Sequence, residues 1–496
     1  MAITKVCGIE TEYGIHVVTS GEMSATTASS LLINAYVARL ERRIGWDFED
    51  ESPGRDARGF ARPGALPPEI ETHLVNAVLT NGARYYVDHA HPEYSTPECS
   101  NPLQLVCHDR AGELVLARSM EAARHLLPPG EEIVVYKNNS DGKGNSYGTH
   151  ENYLVDRATP FARIVQRLTP HLVTRQVYTG AGKVGQENTD TPGPARFQLS
   201  QRADFFEEEV GLETTLKRPI VNTRDEPHAD PQKYRRLHVI VGDANLAEVA
   251  TFLKVGTTAI VLAMIEDEFD AGRDLTLANP VSAIRAVSHD PDLQARVELA
   301  GGERLSALEL QWELFTLARK YAEDRGVGVL GDVQVGAMVL DRWEQVLIGL
   351  ESDPASLSSQ LDWVAKRRLI EAYRERHGLE WGDQRLAALD LQYHDVRPAK
   401  SLFAKLQMER LVGEAEVEAA VSEPPATTRA YFRGRCLSRF ASSVVAANWD
   451  SIVFDVGADP LRRVPMMEPL RGTAAHVDTL LQSCESPAEL VERLGS

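Results

Sequence analysis

Residues 8–15 read GIETEYGI, with Ile9, Thr11 and Tyr13 alternating with Glu10 and Glu12. A period of two predicts a strand whose successive side chains point to opposite faces. Glu10 and Glu12 then share a face, with Cα atoms roughly 7 Å apart. On an edge strand water would solvate them, but on a central strand they require positive charge opposite. Strand patterning covers 3–18 and returns at 83–88 (ARYYVD), 131–139 (EEIVVYKNN), 151–157 (ENYLVDR) and 238–245 (HVIVGDAN). Apolar positions at helical spacing predict helices over 25–44, 103–126, from about 246 to about 266, 303–326 and 355–377. Residues 45–69 are rich in Gly, Pro and charge, which predicts a long loop of the kind that usually carries function. The stretch VSEPPATT at 421–428 reads as a linker between a large domain (1–420) and a small C-terminal one (429–496). Strands bearing polar residues mix irregularly with long helices. This predicts an α+β fold whose antiparallel sheet, packed with helices, lines a site with its polar face.

Composition narrows the classes. The chain has 496 residues, ordinary apolar content (43%) and a net charge of −19. Such a balance argues against nucleic acid as a partner. The five cysteines form no CxxC pair and are odd in number, so reduced thiols and a cytoplasmic location are expected. No signal peptide is apparent, and no uninterrupted apolar run looks long enough for a membrane.

Four segments carry candidate chemistry. They hold Glu10 and Glu12; Tyr86, Asp88, His89, His91 and Glu93; His150 and Glu151; and Arg235, Arg236, His238, Asp243 and Asn245. Each alone reads equally well as a solvated face or a structural histidine. Their joint occurrence on separate strands favours a site for a hard divalent cation, with Mg²⁺ ahead of zinc because no cysteine cluster exists. The chain lacks a GxxxxGK[ST] loop and a GxGxxG turn after a strand, and TGAGKVG at 179–185 lacks the full spacing. A bound nucleotide would therefore need arginines for its phosphates, with Arg84, Arg224, Arg433 and Arg435 as candidates.

The stretches GIETEYG, NGARYYVDHAHPEYSTPEC, YKNNSDGKGNSYGTHENYL, RPIVNTRDEPHADPQKYRRLHVIVGDANLAE and LDLQYHDV resemble the Pup ligase and Pup deamidase/depupylase family. That family is a branch of the glutamine synthetase-like carboxylate–amine ligases. The resemblance implies a glutamine synthetase-like domain, ATP and Mg²⁺ as cofactors, and the small disordered protein Pup and pupylated proteins as partners. The inserted segment WDFEDESPGRDARGF and the form HAHPEYSTPEC look like the depupylase branch, which hydrolyses the Pup–lysine isopeptide bond and deamidates the C-terminal glutamine of Pup. The ligase branch, and a ligase acting on small amine substrates, are the alternatives. By resemblance Glu10, Tyr86 and Glu93 fall on metal positions, with Glu12, His150 and His238 as further ligands. Arg84, Thr96 and Trp449 match nucleotide contacts, and Asp88 matches the catalytic aspartate, as general base or as nucleophile. An acidic partner such as Pup calls for a local basic groove, for which KYRRLH and Arg433, Arg435 and Arg439 are candidates. The loop at 45–69 is expected to gate the site, and its deletion to leave the chain folded.

Overall fold

The computed structural model describes every residue except 20, 50, 61–74, 188–195, 270–271, 458–459 and 496. The strand expected over 3–18 is two. β1 (Cys7–Glu12) and β2 (Gly14–Val18) separate at Tyr13, whose ring is fully buried. Beyond the helix Ala25–Val37 come β3 (Ile44–Trp46), β4 (Asn76–Val78), β5 (Arg84–Asp88) and β6 (His91–Ser95). The helix Pro102–Arg124 follows, then β7 (Glu132–Tyr136) and β8 (Thr149–Asp156). β2 and β7 form a separate antiparallel pair.

The main sheet has ten strands. Its order is Tyr234–Val239, β8, β1, β6, β5, β4, β3, Val444–Ala447, Ser451–Phe454 and Arg462–Pro465. All its pairs are antiparallel except that between β3 and Val444–Ala447. This is the α+β, glutamine synthetase-like architecture that the sequence leads one to expect. β1 lies between β6 and β8, so the alternating glutamates sit on a central strand.

The other face of the sheet is apolar. Cys7, Ile9, Tyr153 and Val155 join one cluster, while Tyr85, Val87 and Tyr94 meet Ala111 and Val115 of Pro102–Arg124 in a second. Gly112 permits that approach, since a Cβ there would fall 2.5 Å from the ring of Tyr94. The helix Glu248–Glu266, interrupted by Lys254, is long and apolar enough by length and composition to cross a membrane, yet it is a core helix buried inside the protein.

Two other expectations change. Residues 61–69 of the predicted loop lie outside the described residues, but its beginning is built into the fold. β3 belongs to the sheet, and the Asp56 carboxylate accepts from Thr223 Oγ1 at 2.7 Å. Deleting 45–69 whole would therefore remove sheet. The C-terminal segment has its own apolar cluster, including Phe432, Phe454 and Leu481, but shares it with Ile44, Trp46 and Val78. Its strands continue the main sheet, so no sheet edge marks the 420–429 boundary.

Arg433 is not a groove wall. It is fully buried, ion-paired to Glu98 and donating to the carbonyls of Gly82 and Trp449. Arg429 reaches the same carboxylate at 2.6 Å. Arg435 pairs with Glu423, and Arg439 donates to the Cys484 carbonyl. The Gly-rich 179–185 turn is interior packing. A Cβ on Gly182 would fall 2.9 Å from Phe197, and Lys183 pairs with Glu187.

Candidate active site

Strand register assembles the site. Directly opposed residues of an antiparallel pair project to the same side. Glu10 faces His150 on β8 and Ser95 on β6, and Glu12 faces Glu93. Glu93 faces Tyr86, Ser95 faces Arg84, and Asp88 faces His91. Asn152 faces His238, and Asn76 faces Tyr86. One face of six adjacent strands thus collects Glu10, Glu12, Tyr86, Asp88, His91, Glu93, His150 and His238, whereas Glu151 lies on the opposite face, paired with Arg175, and Asp243 lies beyond Tyr234–Val239 and accepts from Ser200 Oγ.

Within that face the residues fall into two groups. The ligand atoms of Glu10, His150 and His238 lie within 4.8 Å of one another, as do those of Glu12, Asp88 and His89. Glu12 is therefore not a companion of Glu10; its carboxylate meets His91 Nδ1 at 2.8 Å. Tyr86 donates a short hydrogen bond to Glu93.

Asn152 organises the first group. Its Nδ2 donates to Glu10 at 2.8 Å, which turns its Oδ1 toward His238 Nδ1 (3.0 Å) and Arg236 (2.6 Å). Arg236 also approaches His238 Nδ1, at 3.2 Å, so Asn152 and Arg236 together hold the His238 ring beside Glu10. Sequence reasoning missed Asn152, although it lies two residues from His150 on the same face.

Charge distinguishes the acids. Burial pushes Glu10 upward, but His150, His238 and Arg236 outweigh it and hold the carboxyl well below its ordinary range. Burial, followed by the charges of Asp88, Glu10 and Glu12, drives Glu93 well above its ordinary range. A bound cation would relieve that crowding. Burial also raises Asp88, yet the His89 hydrogen bond and charge, then His150 and Arg84, leave it below the usual value. His89 Nδ1 lies 2.7 Å from Asp88 Oδ2, and His89 has the left-handed φ of 50°. A non-glycine residue there is strained, as side chains aimed at a site often are.

Two neighbouring cavities meet at this face. A polar cleft of about 1310 Å³ is lined by Glu10, Tyr86, Asp88, Glu93, His150 and His238, with Arg84 and Arg224. Arg224 has a buried Nε that finds no hydrogen-bond partner among the described residues. A mostly apolar cavity of about 590 Å³ is lined by Gly8, Ile9, Thr96 and Leu154. Trp449, Arg236 and His228 border both. Thr96 Oγ1 accepts from the Ile9 N–H at 3.0 Å, which ties β6 to β1 beneath the apolar cavity. Thr96 and Glu12 do not line the polar cleft, and neither do Glu151, Asp243 and Asn245.

Clustered carboxylates and imidazoles beside arginines and an apolar pocket make a site with the donors to hold a cation next to an anionic ligand. The chain belongs to the Pup-ligase protein family, whose model matches residues 5–453. It is 56% identical to the depupylase of Acidothermus cellulolyticus, over 99% of both chains. It is 50% identical to the Pup deamidase/depupylase of Mycolicibacterium smegmatis, again over 99% of both. The Pup–protein ligase of Rhodococcus opacus is 46% identical over 82% of this chain and 90% of its own. A crystal structure of a Pup ligase in complex with Pup superposes with a TM-score of 0.82 at 34% identity, covering 99% of this chain and 95% of that one. A Pup ligase in complex with ADP gives 0.74 at 39%, covering 82% and 89%.

Proposed function

We propose that this chain is a depupylase and Pup deamidase that hydrolyses amide bonds at the C-terminal residue of Pup. The observation that carries this reading is sequence identity, 56% and 50% to the two depupylases over 99% of the chain against 46% over 82% to a Pup–protein ligase. We further propose ATP and Mg²⁺ as bound cofactors. The nucleoside suits the apolar cavity at Thr96 and Trp449, and the phosphates suit Arg84 and Arg224. Glu10, His150 and His238 would hold one cation, with Tyr86, Glu93 and Glu12 completing the metal face. Mg²⁺, when bound, polarises the scissile carbonyl and offsets negative charge.

Asp88 is the reacting group of the protein. The His89 N–H holds one carboxylate oxygen and keeps the group ionised, which leaves the other oxygen to act. That oxygen either removes a proton from water or attacks the carbonyl itself. In the second route an Asp88–acyl anhydride forms, the lysine amine or ammonia leaves with a proton, and water restores the carboxylate. One turnover in ¹⁸O-water separates the two, because only the second allows label into Asp88. The beginning of the 45–69 segment, tied to Thr223 beside Arg224, supports a gating role for that segment.

The test is incubation with a pupylated protein, ATP and Mg²⁺. This account expects release of the protein and of Pup ending in glutamate. Formation of conjugates from free Pup and a lysine-bearing protein, without release, would assign the chain to ligation instead.

A further inference from the structure

Arg84 is held in a way that nothing described so far uses. Its guanidinium carbon lies 4.1 Å from the ring centroid of Trp46 and 3.9 Å from that of Tyr86. Its Nε donates to Asn76 Oδ1 at 2.9 Å. The planar group is thus clamped on two sides and fixed along one edge, and it borders the polar cleft. Trp46 is fixed in turn. It is buried in β3, its Nε1 donates to Glu51 at 2.6 Å, and its ring meets Trp449 edge-to-face at 5.1 Å. Trp449, Trp46, Arg84 and Tyr86 form an unbroken stack from the apolar cavity to the Tyr86–Glu93 hydrogen bond.

We propose that Trp46 and Asn76 are positioning residues that present the Arg84 guanidinium to the phosphate groups of a bound nucleotide. The proposal rests on the assignment of Arg84 to phosphate binding made above. An arginine on a mobile stem loses side-chain entropy when it grips an anion; one already clamped has lost it before the ligand arrives. Stacking on an aromatic face leaves the in-plane N–H donors free, so the clamp costs the arginine none of its terminal donors. Nε is the donor spent on Asn76, and the two terminal nitrogens remain for a ligand. Trp46 comes from the beginning of the 45–69 segment, which gives that segment a direct hold on the nucleotide site.

Trp46 also belongs to the C-terminal apolar cluster, so the test must separate positioning from packing. Calorimetry with Mg–ATP and with AMP does this, because the nucleoside is shared and the outer phosphates are not. Trp46→Leu keeps an apolar side chain and removes the flat face. It is expected to weaken ATP binding by about 10-fold while leaving AMP binding unchanged, and Trp46→Phe is expected to restore most of the loss. Asn76→Ala leaves the cluster alone and should weaken ATP in the same direction by a smaller factor, which keeps the proposal testable should Trp46→Leu not fold. Equal losses of ATP and AMP in Trp46→Leu would place the effect in the nucleoside pocket and overturn the proposal. So would wild-type ATP affinity in both Trp46→Leu and Asn76→Ala when Arg84→Ala binds weakly. Wild-type ATP affinity in Arg84→Ala would instead overturn the phosphate assignment on which the proposal rests.

Discussion

The two ends of the cleft are made differently. At one end, Glu10, Glu93, Asp88, His150 and His238 come from adjacent strands and meet by register alone. At the other, Trp46, Arg84 and Trp449 come from β3, β5 and the turn after Val444–Ala447, and they meet by stacking. The acidic end has polar partners for most of its groups, and the aromatic end has faces and a clamped cation. The proposed function divides labour between these ends, with chemistry on the ladder and nucleotide binding at the ring contacts. A lesion at the acidic end should reduce turnover or metal use, and a lesion at the aromatic end should reduce nucleotide affinity.

Beside the loss expected of Asp88 itself, the next largest effect tests the acidic end. Glu10→Gln removes the charge shared by His150, His238 and Arg236, and we expect depupylation to fall at least about 100-fold at limiting Mg²⁺. Titration with Mg²⁺ should recover part of it, and an unchanged Mg²⁺ dependence would break the comparison. Asn152→Ala removes the amide that links Glu10 to His238 and Arg236, and apparent metal affinity should weaken about 10-fold or more, read by the same titration.

His89→Ala leaves Asp88 without its charge-assisted partner. Turnover should drop about 10- to 100-fold with the nucleotide dissociation constant unchanged. At the aromatic end, Trp449→Ala should weaken nucleotide binding about 10-fold, with turnover at saturating ATP close to wild type. A loss confined to turnover would place Trp449 with the acidic end.

The smallest effect concerns the joint beneath both ends. Burial raises Glu98, but Arg433 and Arg429 bring it down to about 2 from an ordinary 4.5. A depressed carboxyl adds stability above its unfolded value and loses it as protons bind the folded state. The contribution, about 3 kcal/mol, should be complete above pH 4.5 and disappear as pH falls through about 2. Glu98→Gln should lower the melting temperature at neutral pH and flatten its decline in acid.

Legibility followed the same division. Alternation at Glu10/Glu12, Arg84/Tyr86/Asp88 and Arg236/His238 marks faces before any fold is known, because a strand has a fixed period. The break at Tyr13 was not legible, since the residues on both sides continue the pattern and only the turn of the chain toward β7 ends the ladder. Stacking has no period. Trp46 lay in a stretch whose charge and glycine read as loop, yet Gly45 and Trp46 pair in the sheet. Arg433 looked like a surface cation because arginine usually is one; its burial depends on Glu98, far away in sequence. The apolar helix expected from about 246 to about 266 is Glu248–Glu266, and the charged residues that interrupt it, Glu248 and Lys254, are buried with partners inside the protein.

The central claim is that Asp88 performs the chemistry on a site that binds nucleotide independently of it. The direct measurement is single-turnover release from a pupylated protein by Asp88→Asn, with Mg–ATP affinity determined on the same sample. The account predicts release at least about 1000-fold slower with ATP affinity preserved. Release at the wild-type rate would contradict it.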